Sequence, residues 1–379
     1  MENTILHGDC KETLKILPDN CIEAIVTDPP YELGFMGKSW DSTGIANDVS
    51  MWKECLRVLK PGGYLLAFSG TRTYHRMASA IEDAGFEVRD MIEWVYGSGF
   101  PKSLNINKTI NKLQGNEREV VGQSRNGKNS LMGGLSNTET TTIQDVTKGT
   151  SVWEGWGTAL KPAHEPICMA RKPLESKTVA ENCLKWGTGG INIDESRVGT
   201  SGARFNGRNV DSNIYGKYGI GKPKEDYNMG RFPANLIHDN SEEVMECFLN
   251  ESARFFKSII YNAKAGKSER NMGCDELEQK QYSHDGRKTE IENPYQRNKS
   301  VSSNNHPTVK PIALMEYLVK MVTRDGQTVL DPFSGSGTTL IACKKNNRKY
   351  IGCELDAEYI KIAEARLSVA DEAKQTTLL

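Results

Sequence analysis

The sequence predicts an α/β protein: a mostly parallel sheet with helices on both faces, interrupted by a long insertion. Three observations carry the prediction. Strand and helix signals alternate through the first hundred residues. They alternate again through the last seventy, and the stretch between is largely without period. Such alternation argues for crossover units on a parallel sheet. The simplest architecture is one α/β domain assembled from both ends of the chain.

Taken in order, "NTILHG" reads as a short strand and "CKETLKIL" as a helix behind Asp9, a good N-cap. "CIEAIVTD" is the next strand. Val49, Trp52, Leu56 and Leu59 recur at helical spacing and stop at "KPGG". "YLLAFSG" is a continuous apolar strand of the parallel-sheet kind. A helix then runs to Gly85, followed by the strand-like "FEVRDMIEWVYG". From Pro101 to Gly155 the pattern dissolves into Asn, Ser, Thr, Gly and Lys, which reads as loop. "HEPICMARKP" returns to strand character, and Thr178 to Gly187 to helix. A second polar stretch reaches Arg231, "RFFKSIIYNAK" is ordered again, and 269–305 is charged and loop-like. Near the C-terminus, "PIALMEYLVKMV" is an amphipathic helix with Leu314, Leu318, Met321 and Val322 on one face. "TVLDPF" is a strand, "SGSGTTLIAC" a glycine loop entering a helix, "KYIGCELD" a strand and "AEYIKIAEARLSVA" a helix.

Composition bounds the reading. The 379 residues are 37% hydrophobic, enough for a real core, and the net charge of −1 means that a nucleic-acid partner must be met by a local basic patch. No apolar run is long enough to span a bilayer. The N-terminus lacks a basic segment followed by an apolar one, so a cytoplasmic location is expected. The nine cysteines are scattered without a C-x-x-C pair, which disfavours a disulfide framework or a structural zinc site.

Two short stretches carry chemistry. In "LDPFSGSGTT", Asp331, Pro332, Phe333, Ser334, Gly335, Ser336, Gly337, Thr338 and Thr339 link a strand to a helix. Glycines there let a ligand approach the backbone, and the helix N-terminus offers unpaired N–H groups. The loop lacks the lysine of a Walker loop and the full G-x-G-x-x-G spacing. Glu354 ends the next strand, 21 residues after Phe333, where an acid can accept hydrogen bonds from ribose hydroxyls. An adenosine-containing cofactor without a pyrophosphate fits better than NAD; the bland alternative is a glycine turn for close helix–strand packing. In "IVTDPPYELGF", Asp28, Pro29, Pro30 and Tyr31 stop an apolar strand at its carboxyl end, where open α/β sheets place their sites. The prolines fix the backbone, so the Asp28 carboxylate and the Pro29 carbonyl form a rigid acceptor pair that suits the two hydrogens of an exocyclic amino group. Tyr31 offers a face for a planar ring. The alternative is a turn with a solvated aspartate.

Together these stretches resemble a known family, the DNA amino-methyltransferases that use S-adenosylmethionine. "DPPY" resembles their catalytic motif and "DPFSGSGTT" their cofactor loop. The catalytic motif comes first, as in the permuted beta class, and phage and prophage members show forms similar to "GWGTALKPAHEPI". "HGD", "RVLKPGGYLLAF" and "HPTVKP" agree with that class. The resemblance implies a Rossmann-like, circularly permuted domain with an inserted target-recognition module. Its catalytic half spans 1–105, with a mobile insert over 106–155 and a strand returning to the core over 156–175. The target-recognition insert spans 176–253, a return segment and loop 254–305, and the cofactor half 306–379.

The resemblance implies methyl transfer from S-adenosylmethionine to the amine of a base that has left the duplex, with no metal. Asp28 and the Pro29 carbonyl would hold the amine and Tyr31 stack on the base. The Asp331–Gly337 loop would hold the methionine part, with Thr338 and Thr339 at the helix N-terminus; Glu354 would take the ribose hydroxyls and Asp9 the adenine amino group, with Leu355 also on the cofactor side. From "HPTVKP", His306 and Thr308 join the cofactor side, with Lys310 a candidate partner for the methionine carboxylate. Phe35, Lys38 and Trp40 lie on a loop expected to close over base or cofactor, with packing an equal alternative for Trp40. The partner is double-stranded DNA. Residues 197–231 hold seven basic side chains against three acidic ones; Arg204, Arg208, Lys217, Lys222 and Arg231 are the candidate DNA contacts, with Lys38. A homodimer and a separate partner restriction nuclease are compatible with the class.

Asp at position 28 resembles the adenine-N6 group. Cytosine-N4 transfer is the alternative, with an RNA or protein amine, or a non-catalytic relict fold, behind it. None of the nine cysteines follows a proline, which disfavours methylation at cytosine carbon.

Overall fold

The computed structural model describes residues 2–34, 39–97, 99, 103–126, 142–199, 230–249, 252–259, 265–282 and 300–370. In chain order the elements begin with β1 (Thr4–His7), α1 (Cys10–Thr13), β2 (Ile22–Thr27), α2 (Val49–Val58), β3 (Leu59–Phe68), α3 (Tyr74–Asp83) and β4 (Glu87–Val95). The middle holds α4 (Ile106–Gln114), β5 (Glu119–Asn126), β6 (Thr142–Lys148), β7 (His164–Arg171), α5 (Val179–Trp186), α6 (Ile193–Ser196), β8 (Leu236–His238), α7 (Glu242–Met245), β9 (Lys257–Ser258), α8 (Lys267–Asn271), β10 (Lys280–Tyr282) and β11 (Ser300–Ser302). The chain closes with α9 (Ile312–Val322), β12 (Thr328–Asp331), α10 (Thr338–Lys345), β13 (Lys349–Glu354) and α11 (Ala357–Ser368).

Nine strands form one sheet in the order β1-β13-β12-β2-β3-β7-β4-β8-β9. Every pairing is parallel except the two made by β7, which runs antiparallel between β3 and β4. The mostly parallel α/β architecture read from the sequence is thus present. Strands from the two ends of the chain meet at its centre, where Val329 and Leu330 of β12 pair with Ala24 and Ile25 of β2. Strand residues alternate between two cores, as a pleated sheet requires. Ala24, Val26, Leu66, Phe68 and Val329 pack with α9 and α10 on one face. Ile25, Leu65, Ala67 and Leu330 pack with α1, α2 and α3 on the other.

The structure departs from the sequence reading in four places. First, α2 ends at Val58, and Leu59 together with "KPGG" belongs to β3. Ile22 pairs with Leu59 but Ala24 pairs with Tyr64, so residues 60–63 bulge out of the ladder, where Pro61 costs no pairing. Asn182 Nδ2 and Thr188 Oγ1 both donate to the freed Pro61 carbonyl. Second, the stretch 106–155, read as a patternless mobile insert, contains α4 and a hairpin of β5 and β6. The Asn105 side chain caps α4 at one end and Gly115, at φ 69°, ends it at the other. Its inward-facing residues are Asn107 and Asn111, so a hydrophobic period could not reveal it. Third, β8 and β9 join the main sheet, although they fall in stretches read as the target-recognition insert and the return segment. Strands of three and two residues are too short to show a period. Fourth, α9 is buried nearly all round rather than along one face, because it is wedged between the sheet, α6 and α10.

All nine cysteines are free thiols, and six of them are buried.

Candidate active site

Thr27 is the last residue of β2, so Asp28 emerges at the carboxyl end of a central parallel strand. Beside it, β12 ends at Asp331. Thr27 Oγ1 donates to Asp331 Oδ1 at 2.6 Å, and Thr339 Oγ1, on the first turn of α10, donates to Asp331 Oδ2 at 2.6 Å. Phe333 N adds a third bond at 3.1 Å. One buried carboxylate therefore ties the Asp-Pro-Pro-Tyr strand to the glycine loop, across 304 positions of sequence.

Burial pushes the Asp331 carboxyl up to about 6, against these three bonds, which favour its ionised form. In the unfolded chain the group ionises near 3.8. The folded state therefore keeps a proton that the unfolded chain has released. This contribution is complete below the unfolded value and is lost as pH rises to about 6, roughly 3 kcal/mol in all. In thermal melts the wild type should lose stability relative to Asp331→Asn across that window; parallel curves would contradict the reading.

The loop after the strand is held from several sides. The Asp41 carboxylate accepts from Glu32 N at 3.0 Å and Leu33 N at 3.2 Å. Glu32 sits at φ 56°, a left-handed conformation that non-glycine residues seldom take. Its own carboxylate accepts from Gly44 N at 2.7 Å. Thr73 Oγ1 donates to the Tyr31 carbonyl at 2.7 Å.

At the centre of the site Lys310 Nζ lies 2.7 Å from Asp28 Oδ2 and 3.2 Å from Glu165 Oε2. It also donates to the Tyr31 hydroxyl at 3.0 Å. Tyr31 Oη donates to Glu165 Oε2 at 3.0 Å, and Tyr96 Oη to Glu165 Oε1 at 3.4 Å. Asp28 Oδ1 is buried with no hydrogen-bond partner among the described residues. Burial raises the Asp28 carboxyl, with Lys310 opposing and Glu165 adding to the rise. Burial also works against the charge on Lys310, but Asp28 and Glu165 outweigh it and hold the ammonium above its ordinary range.

The other half of the site is the glycine loop. Gly335 N donates to Glu354 Oε2 at 2.8 Å, and Ser334 N to the Cys353 carbonyl at 2.9 Å. Gly335 adopts φ 49°, and a Cβ there would fall 2.7 Å from His306 Nε2, so a glycine is required. Gly337, at φ 79°, answers to packing instead: a Cβ would meet Ala363 Cβ at 2.9 Å. Burial and the nearby Arg270 push His306 down to about 3, so its ring is neutral at physiological pH. Its Nδ1 lies 2.9 Å from the Thr308 carbonyl, which can only accept, so the proton sits on Nδ1 and Nε2 is an acceptor. Asp9 caps α1 through Lys11 N, next to His7, which pairs with Glu354 across β1 and β13.

Most of these groups line one cleft of ≈ 2010 Å³. It brings together Asp28, Pro29, Pro30 and Tyr31 with Asp9, His306, Thr308, Lys310, Asp331, Pro332, Phe333, Ser334, Gly335, Ser336, Thr338, Thr339, Glu354 and Leu355. Leu355 is 66% exposed at its edge. Gly337 lies behind the lining, as its packing role requires. In the structure Lys310 pairs with Asp28 and Glu165. Tyr31 is half-buried, its hydroxyl held by Glu165 and Lys310. Of the candidate DNA contacts, Lys38, Arg204, Arg208, Lys217 and Lys222 lie outside the described residues, as does Phe35. Arg231 donates to the Arg254 carbonyl at 2.9 Å and lies over the Phe255 ring. The sequence reading missed Glu165, Tyr96, Asp41 and Thr73. Only Glu165 left a signal, a carboxylate at the mouth of an apolar strand.

The chain is similar to known proteins along most of its length. The chain is 23% identical to the type II methyltransferase M.HindIII of Haemophilus influenzae, covering 97% of this chain and 96% of that protein. A shorter stretch of 66 residues is 47% identical to the DNA adenine methyltransferase YhdJ of Escherichia coli, covering 17% of this chain and 22% of that one. Among solved structures, that of the M1.HpyAVI–SAM complex matches 96% of this chain and 98% of its own with 20% identity and a TM-score of 0.40. The family model described as DNA methylase matches residues 22–365. Because that match runs from the strand carrying Asp28 to the helix packed behind the glycine loop, the chain belongs to the N6/N4 DNA methylase family.

Proposed function

We propose that this DNA methyltransferase moves a methyl group from S-adenosylmethionine to the exocyclic N6 of an adenine flipped out of duplex DNA. The observation that carries the reading is the unpartnered, buried Asp28 Oδ1, an acceptor placed beside a proline-stiffened backbone in the same cleft as the glycine loop. Aspartate at this position, and the local similarity to a protein named as an adenine methyltransferase, support adenine over cytosine.

The residues present fit the cofactor. Glu354 and Asp9 supply acceptors for ribose and adenine at one end of the cleft, and Gly335 keeps the backbone bare where any side chain would strike His306. S-adenosylmethionine, when bound, supplies a methyl group activated on a sulfonium. The protein does the rest by placement. Asp28 Oδ1 and the Pro29 carbonyl accept the two amino hydrogens, which draws the nitrogen lone pair out of conjugation with the ring. Positive charge develops on that nitrogen as the carbon–nitrogen bond forms and the carbon–sulfur bond breaks, so an anionic Asp28 favours the transition state over the ground state; the amine then loses one of its two hydrogens as a proton, and S-adenosylhomocysteine is the other product. Tyr31 and the aligned acceptors supply orientation.

Nucleoside mass spectrometry after incubation with unmethylated duplex DNA and cofactor tests this. N6-methyladenine is the expected product. N4-methylcytosine would overturn the adenine assignment, and transfer to RNA alone would overturn the substrate.

A further inference from the structure

The proposed reaction builds positive charge beside Asp28, yet the group nearest Asp28 is a lysine. Asp28 and Lys310, at 2.7 Å, sum to no formal charge, and a neutral pair does little for a developing cation. Glu165 changes that balance. It stands at the start of β7, the antiparallel strand between β3 and β4, which carries it to the same end of the sheet as Asp28. Its Oε2 lies 3.2 Å from Lys310 Nζ, and the side chains of Lys310 and Glu165 are 10% and 21% exposed.

We propose that Glu165 is a positioning residue that keeps the site anionic: by sharing Lys310, it lets the ammonium release Asp28 to the incoming amine while retaining a counter-ion. The cluster of Asp28, Glu165 and Lys310 then carries one net negative charge where the amine nitrogen becomes positive. The surroundings favour this hand-over. Tyr31 and Tyr96 both donate to Glu165 and fix it in place. The Phe68 ring, with its centroid 4.8 Å from Lys310 Nζ, gives the ammonium a cation–π contact that does not depend on Asp28, and the Tyr31 hydroxyl accepts from it at 3.0 Å. The inference rests on the amino-methyltransferase reading above.

Glu165→Gln separates charge from shape, because the amide keeps the volume and still meets both tyrosine hydroxyls. In single-turnover methyl transfer the expected result is about a hundredfold loss of rate, with cofactor and duplex affinities unchanged. Adding Lys310→Met removes the excess positive charge and should recover roughly tenfold of that loss. A residue with a merely structural role predicts the opposite, a double variant worse than either single one. The proposal is overturned if Glu165→Gln transfers methyl as fast as wild type, or if Lys310→Met deepens the defect. A wild-type protein that methylates no DNA would overturn the functional reading itself, and this inference with it.

Discussion

Asp28→Ala is expected to lower the methyl-transfer rate by about a thousandfold or more while leaving cofactor affinity intact. In the proposed mechanism the substitution removes the acceptor for the amine, Asp28 Oδ1, which is buried with no hydrogen-bond partner among the described residues. It also leaves Lys310 with Glu165 alone, so the cluster becomes neutral when the reaction needs it anionic. Folding should suffer little, because Lys310 keeps a carboxylate at 3.2 Å and the strand leading to Asp28 is unchanged. Asp28→Asn retains an acceptor oxygen but not the charge, and should fall between wild type and Ala. Single-turnover transfer from radiolabelled cofactor, with calorimetric cofactor titration alongside, checks both. An alanine variant as fast as wild type would remove Asp28 from the mechanism.

The same residue sets an acid limb. Burial raises the Asp28 carboxyl above the range of an exposed aspartate, with Lys310 opposing the shift. In the proposed mechanism the ionised form is the active one, so activity should fade on acidification sooner than for a solvated carboxylate.

Particular residues show what the sequence could and could not disclose. The two motifs were legible because each packs its chemistry into a few adjacent positions: Asp28 to Tyr31 at a strand end, and Asp331 to Thr339 at a strand–helix turn. Each was placed at the carboxyl end of a strand in an α/β pattern, where open sheets hold their sites. Their direct coupling was not legible. Thr27 and Thr339 reach the same carboxylate from opposite ends of the chain, and nothing local to either threonine marks it. Glu165 was hidden for a related reason. It enters the site because β7 is antiparallel and lies between β3 and β4, and strand order and direction are long-range properties. Helix α4 escaped because its buried side is made of asparagines.

Arg366→Ala is the change expected to cost most stability, about 3–5 kcal/mol, and to loosen the cofactor loop with it. Arg366 follows Ile362 by four positions and Ala363 by three, which puts all three on the buried face of α11, and its side chain is fully buried. Its Nη1 donates to the Ser336 carbonyl at 2.6 Å, to Ser336 Oγ at 3.0 Å and to Thr338 Oγ1 at 3.2 Å. Nη2 reaches the Glu269 carbonyl at 3.4 Å. One guanidinium thus braces the glycine loop from behind, against the helix that Gly337 packs on. Burial lowers its pKa to about 10, so it stays charged at neutral pH. Alanine would open a large cavity and leave the Ser336 carbonyl without this donor, and both effects add. Residues 334–337 would then lose their fixed course, and cofactor affinity should fall by about tenfold or more even where the protein remains folded. Arg366→Lys, with the charge but no fork of donors, should lie between. Urea unfolding measures the first effect, and cofactor titration well below the melting transition measures the second. Wild-type affinity in a destabilised Arg366→Ala protein would show that the brace serves the fold alone.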